Sequence, residues 1–277
     1  MTDTPQDFLK AGDLNGTLTS LQNLIRAKPE DAKLRIFLFQ LLCVMGDWKR
    51  AITQLKLCAQ LDASALPMAQ TYREAIICEV FREKVFAGEK DPLIFGQPQD
   101  WVALLAEALK AQAEGNAEHA ARLRDDAFDK APATSGELDG QEFEWIADAD
   151  MRFGPILEII INGKYFWMPF NALATLQLDP PEDLRDTVWT AANLTLANGG
   201  ELVGLIPTRY AGTAERGTDA MRLSRVTEWE DLGHDTFAGL GQRLLTTNEA
   251  DVPLMDARLF RFNTTEAEDT GGAAADG

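Results

Sequence analysis

Histidine and cysteine are scarce in this 277-residue chain, which has two of the first and three of the second. His119 and His234 fall in different halves, so no Ser-His-Asp arrangement can be nominated, and no serine lies in a G-x-S-x-G context. Cys43, Cys58 and Cys78 are odd in number, sit in apolar helical sequence and form no C-x-x-C pair. They read as reduced core thiols, not as a disulfide framework or a zinc site. Phosphate-binding glycine motifs are missing too: neither G-x-x-x-x-G-K-[ST] nor a G-x-G-x-x-G opening a helix occurs, and no cofactor is expected. Positive charge is sparse, with 26 Lys plus Arg against 44 Asp plus Glu and a net charge of −18. No basic patch offsets it, so nucleic acid and anionic lipid are not expected as partners. Apolar runs such as residues 155–161 and 165–170 fall far short of the roughly 20 residues a bilayer requires. The opening MTDTPQDFLK has neither a basic nor an apolar signal region. A cytoplasmic protein is therefore expected.

What the first half does contain is a repeat. Gly12-Asp13-Leu14 is followed by Thr17, Leu18, Leu21 and Leu24, and Gly46-Asp47-Trp48 by Ala51, Ile52, Leu55 and Cys58, 34 residues later. That is the tetratricopeptide period. A third copy starts at Gly115-Asn116, two periods and one residue further on, with Ala120, Leu123 and Ala127 in the matching places. Glycine can close the first helix of each pair in a left-handed conformation, and a small residue five places on lets the second helix pack closely. Residues 68–87 read as another amphipathic helix, ending near Gly88. Residues 1–132 are thus expected as a helical repeat domain of about three pairs.

Residues 133–150 change in texture, with Gly, Ser and six acidic residues, and are expected as an acidic linker. Phe143, Trp145 and Ile146 within it point to a joint that docks. Residues 151–263 then read as β-rich. The clearest signal is Ile156 to Ile161, Asn162-Gly163, then Lys164 to Phe170, because Asn-Gly between two β-prone runs specifies a two-residue hairpin. Further strands are expected at 187–197, 201–208, 221–229, 242–247 and 256–262. Gly239-Leu-Gly241 reads as a turn. The overall expectation is an α+β protein: a tetratricopeptide-like domain followed by a small antiparallel, barrel-like β domain. Residues 264–277 are acidic and without large apolar side chains, so an unstructured tail is expected.

Several ordered phrases carry a family resemblance: Arg152-Phe-Gly-Pro155, Tyr165-Phe-Trp-Met-Pro-Phe170, Pro181-Glu-Asp-Leu-Arg-Asp186 with Trp189, Gly204-Leu-Ile-Pro-Thr-Arg-Tyr210, Thr227-Glu-Trp229 and Gly241-Gln-Arg243. Upstream, Tyr72-Arg-Glu-Ala75, Pro92-Leu-Ile-Phe-Gly96 and Trp101-Val-Ala-Leu-Leu105 extend it. Together they resemble the ImpE family, also called SciE-type or TagJ proteins, accessory components of bacterial type VI secretion systems. The resemblance implies a non-enzymatic adaptor that binds the N-terminal helix of the small, TssB-type subunit of the contractile sheath. It also implies a link to the ClpV ATPase that disassembles the contracted sheath. Two other readings remain open on the residues alone: a hydrolase or transferase whose β half is catalytic, and a general peptide-binding repeat protein.

The family brings no agreed binding residues, so candidates come from the scaffold. Ile36, Gln40 and Cys43 in the middle repeat, with Leu105, Leu109 and Gln112 in the last, are placed to line a concave face, unless they simply pack between repeats. In the β half, Arg152, Arg185, Arg209 and Tyr210 are of the types enriched at interface hot spots. Their alternative is core burial, with the arginines paired to local acids.

Overall fold

The computed structural model describes residues 4–97 and 99–263. The expected tail, 264–277, lies outside them. The chain is α+β, a helical N-terminal region followed by a β-rich region built mostly of antiparallel pairs.

Three helix pairs follow the sequence repeat: α1 (Pro5–Ala11) with α2 (Leu14–Ala27), α3 (Ala32–Val44) with α4 (Trp48–Leu61), and α6 (Asp100–Ala113) with α7 (Ala117–Lys130). Each pair turns at its repeat glycine, with φ of 81°, 74° and 82° at Gly12, Gly46 and Gly115. The next residue restarts the chain. Asp13, Asp47 and Asn116 are N-caps whose side chains accept from the backbone N–H three positions on, satisfying a donor the helix itself cannot. The repeated Gly-Asp/Asn dipeptide is therefore a stop followed by a start. Between the second and third pairs runs α5 (Leu66–Phe86), a 21-residue helix without a hairpin partner of its own, which packs on the β half.

The main sheet draws on β1 (Leu93–Ile94), β2 (Gly136–Leu138), β3 (Gln141–Phe143), β5 (Ile156–Ile161), β6 (Lys164–Pro169), β7 (Leu173–Leu178), β8 (Trp189–Leu196), β9 (Glu201–Pro207) and β14 (Leu259–Phe262). Its order is β1-β6-β5-β9-β8-β7-β14-β2-β3. The β5–β6 hairpin turns at Asn162-Gly163, with φ of 50° and 69°. A three-stranded sheet joins β4 (Ile146–Asp148), β12 (Leu244–Thr247) and β13 (Asp251–Pro253), and a ribbon joins β10 (Thr227–Asp231) to β11 (Phe237–Gly241). Two short helices, α8 (Thr213–Arg216) and α9 (Asp219–Arg222), precede the ribbon.

Several local expectations need correction. Residues 133–150, expected as a docked acidic linker, hold the strands β2, β3 and β4, with Phe143 and Ile146 buried while Glu142 and Glu144 face solvent. The expected strand 221–229 begins instead as α9, capped by the Thr218 hydroxyl, and only then extends as β10. Gly239-Leu-Gly241 is strand, not turn. At Gly239 a Cβ would lie 2.2 Å from the Tyr210 ring, so only glycine lets the strand lie flat on it.

The helical and β regions also share one core. A single buried cluster contains Leu42, Leu55, Ile76 and Leu105 from helices with Ile156, Ile160, Tyr165, Trp167 and Trp189 from strands. The opposite side of the sheet forms a second core, with Leu157, Ile159, Ile161, Met168, Leu176 and Phe260. Strand β5 is buried along its whole length, and its period of two sends alternate side chains to the two cores.

Candidate interaction surfaces

That alternation places Glu158 on the helix-facing side of β5, between Ile156 and Ile160, with its side chain fully buried. An isolated carboxylate there would be untenable. From α5, Arg82 meets it with a two-pronged grip, Nε to Oε1 at 2.6 Å and Nη2 to Oε2 at 2.7 Å. The Tyr165 hydroxyl and Arg243 also donate to Glu158. Arg243 bridges onward to Asp148, which accepts from the Tyr210 hydroxyl at 3.0 Å. Asp150 is gripped by Arg152 and receives Gly239 N–H at 3.0 Å. Glu79 receives Trp189 Nε1 at 3.1 Å and Arg82 Nη1 at 3.3 Å.

Burial and charge set the titration of this network. Burial raises the Glu158 carboxyl, but Arg82 and Arg243 outweigh it and hold the group down at about 2. For Asp148 burial wins over Arg243, and its carboxyl is pushed up to about 7. Burial lowers Arg209 to about 10, with Glu79 opposing. With Arg209 the network has four arginines against four acids, all buried, so its charges cancel internally once Asp148 is ionised. Such groups order the seam between helices and sheet.

The ten sequence candidates can now be placed. Gln40, Cys43, Leu105, Leu109, Arg152, Arg209 and Tyr210 are buried, while Ile36, Gln112 and Arg185 are half-buried. Helix α3, which carries Ile36, Gln40 and Cys43, packs against the turn Leu184–Thr187 of the chain's own β half. Arg209 donates to the Cys43 and Val44 carbonyls at 2.9 and 2.7 Å, closing the α3 C-terminus, where a cation also meets the helix dipole. Leu105 and Leu109 lie in the shared core. Gln112 accepts from Arg124 at 3.2 Å. Arg185 lies over the Tyr72 ring at 4.7 Å and pairs with Asp183. Of the ten, Ile36, Gln112 and Arg185 are the more exposed.

Sequence reasoning missed Glu158, Arg82 and Asp148 as organising residues. Glu158 did leave a signal, since an acid inside the apolar run ILEIII demands a buried cation. Nothing local marks Arg82 as that cation. Among the described residues no cluster of three metal-ligating side chains occurs, and no helix is long and apolar enough to cross a membrane.

Comparison with known proteins agrees with this architecture. A family model described as ImpE protein matches residues 140–261. The crystal structure of protein VPA1032 from Vibrio parahaemolyticus superposes with a TM-score of 0.86 over 95% of this chain and 98% of that one, at 24% identity, a likeness of fold. The type VI secretion system accessory component TagJ of Pseudomonas aeruginosa is 52% identical over 262 residues, 95% of this chain and 92% of that protein. Identity at that level along nearly the whole length of both chains shows that this chain belongs to the ImpE family of TagJ-type accessory proteins.

Proposed function

We propose that the chain is a non-catalytic, cytoplasmic adaptor of a type VI secretion system. In this reading it binds the N-terminal helix of the small sheath subunit and thereby takes part in ClpV-dependent sheath disassembly. The observation that carries it is the 52% identity to TagJ over 95% of the chain. The geometry supports an adaptor as well: the most buried acids of the β half, Asp148, Asp150 and Glu158, are each engaged by an arginine. A general peptide groove is disfavoured, because α3 of the middle repeat packs against the chain's own turn at Leu184–Thr187.

The test is retention of the sheath subunits of the same organism on the purified, immobilised chain. Capture of the small subunit, lost when its N-terminal helix is deleted, is the expected result. No capture with or without that helix would refute the adaptor reading.

A further inference from the structure

Where α7 gives way to β4, an apolar cleft of about 330 Å³ opens on the surface, walled by Phe128, Ala131 and Pro132 on one side and Trp145, Met151 and Pro155 on the other. Its size suits side-chain anchors of a peptide better than a whole cofactor, since ligand pockets begin at about 300 Å³. Trp145 is 39% exposed although the apolar Phe143 and Ile146 near it are buried. An indole left so open in a chain with six tryptophans is apolar surface in want of cover.

The rim determines which cover fits. Exposed acids flank the lining residues in sequence, Asp125, Asp126 and Asp129 around Phe128 on α7 and Glu142 and Glu144 just before Trp145, and they outnumber the exposed Lys130 beside them. A second copy of this chain would bring the same acidic rim and the same net charge of −18, so self-docking is opposed. A cationic partner is drawn in. We propose that this cleft receives the apolar anchors of an amphipathic helix whose flanks carry Lys or Arg; the proposal rests on the adaptor reading and gives it a surface. Apolar contact with Trp145 and Phe128 holds the helix, while the acids steer and orient it.

Calorimetric and stopped-flow titration of the small sheath subunit against the full chain, Trp145→Ala and a double Asp125→Lys/Asp129→Lys variant tests this, with circular dichroism confirming each fold. Trp145→Ala is expected to weaken binding by about tenfold or more, as loss of a central aromatic anchor does. The double variant is expected to slow association at low salt and flatten its salt dependence. Being confined to two exposed positions, it decides the matter should Trp145→Ala fail to fold. Wild-type affinity and rate in the folded variants would overturn the cleft and leave the adaptor standing. No binding by the unaltered chain would remove both. Self-association, seen by sedimentation and lost in Trp145→Ala, would assign the cleft to a second copy and also overturn the proposal.

Discussion

Asp148 and Glu158 are carboxylates held by the same guanidinium, Arg243, yet they respond oppositely to folding. Glu158 has a second arginine and a phenol; its carboxyl, raised by burial but lowered further by its arginines, ends at about 2. Its stabilisation is full above the ordinary glutamate value and is lost as pH falls towards 2. Asp148 is pushed by burial from 3.8 to about 7, so the folded state holds a proton that the unfolded state releases. Stability therefore declines as pH rises between those two values, by about 2 kcal/mol from pH 5 to pH 7, because the slope of about 1.4 kcal/mol per unit halves as pH reaches the folded value. Thermal unfolding followed from pH 5 to 8 is expected to show that decline in the unaltered chain and a much flatter profile in Asp148→Asn. Equal slopes in the two proteins would show that Asp148 does not titrate in this range. At this scale the sequence was only partly legible. The acid in ILEIII announced a buried charge, but its partner lies 76 positions away and no local pattern could single it out.

Among elements, the repeated stop and start was the most readable feature, because a helix end is local chemistry: a residue tolerant of positive φ, then a side chain that caps. The hairpin at Asn162-Gly163 was readable for the same reason. What escaped was decided by distant neighbours. Strands β2 to β4 look like an acidic joint until Phe143 and Ile146 find cores, and β11 looks like a turn until Gly239 meets Tyr210. The concave-face candidates escaped likewise, since the β half that covers α3 is remote in sequence. The repeat glycines are also unequal in their surroundings. A Cβ at Gly46 would lie 2.7 Å from the Ala214 Cβ of α8, whereas at Gly115 it would meet nothing within 4 Å. Gly115→Ala is expected to cost about 1 kcal/mol, the penalty of a left-handed backbone. Gly46→Ala adds a steric clash and is expected to exceed it by a further 1 kcal/mol or more. Urea unfolding of the two variants gives both numbers, and equal losses would mean that α8 yields freely.

For the whole molecule, the shared core makes the helical and β regions interdependent. Leu9 and Lys10 near the start accept from Arg225, and the Leu14 N–H donates to Asp219, so the contact runs along the array and is not confined to α5. One cooperative unfolding transition is expected, with far-ultraviolet dichroism and tryptophan fluorescence coinciding in denaturant. Two separated transitions would show that the regions are energetically independent.

The long reach between Arg82 and Glu158 also has a consequence in time. A ribosome completes α5 well before it makes the acid that neutralises its arginine, and the intervening 76 positions take roughly 4–15 s at about 5–20 residues per second. Until Asp148 and Asp150 are made late in that interval, Glu79 is the one acid of the network present, and the apolar side of α5 faces water or a chaperone. The nascent helical array is thus an open half-shell whose closure is timed by translation of the strand that completes it.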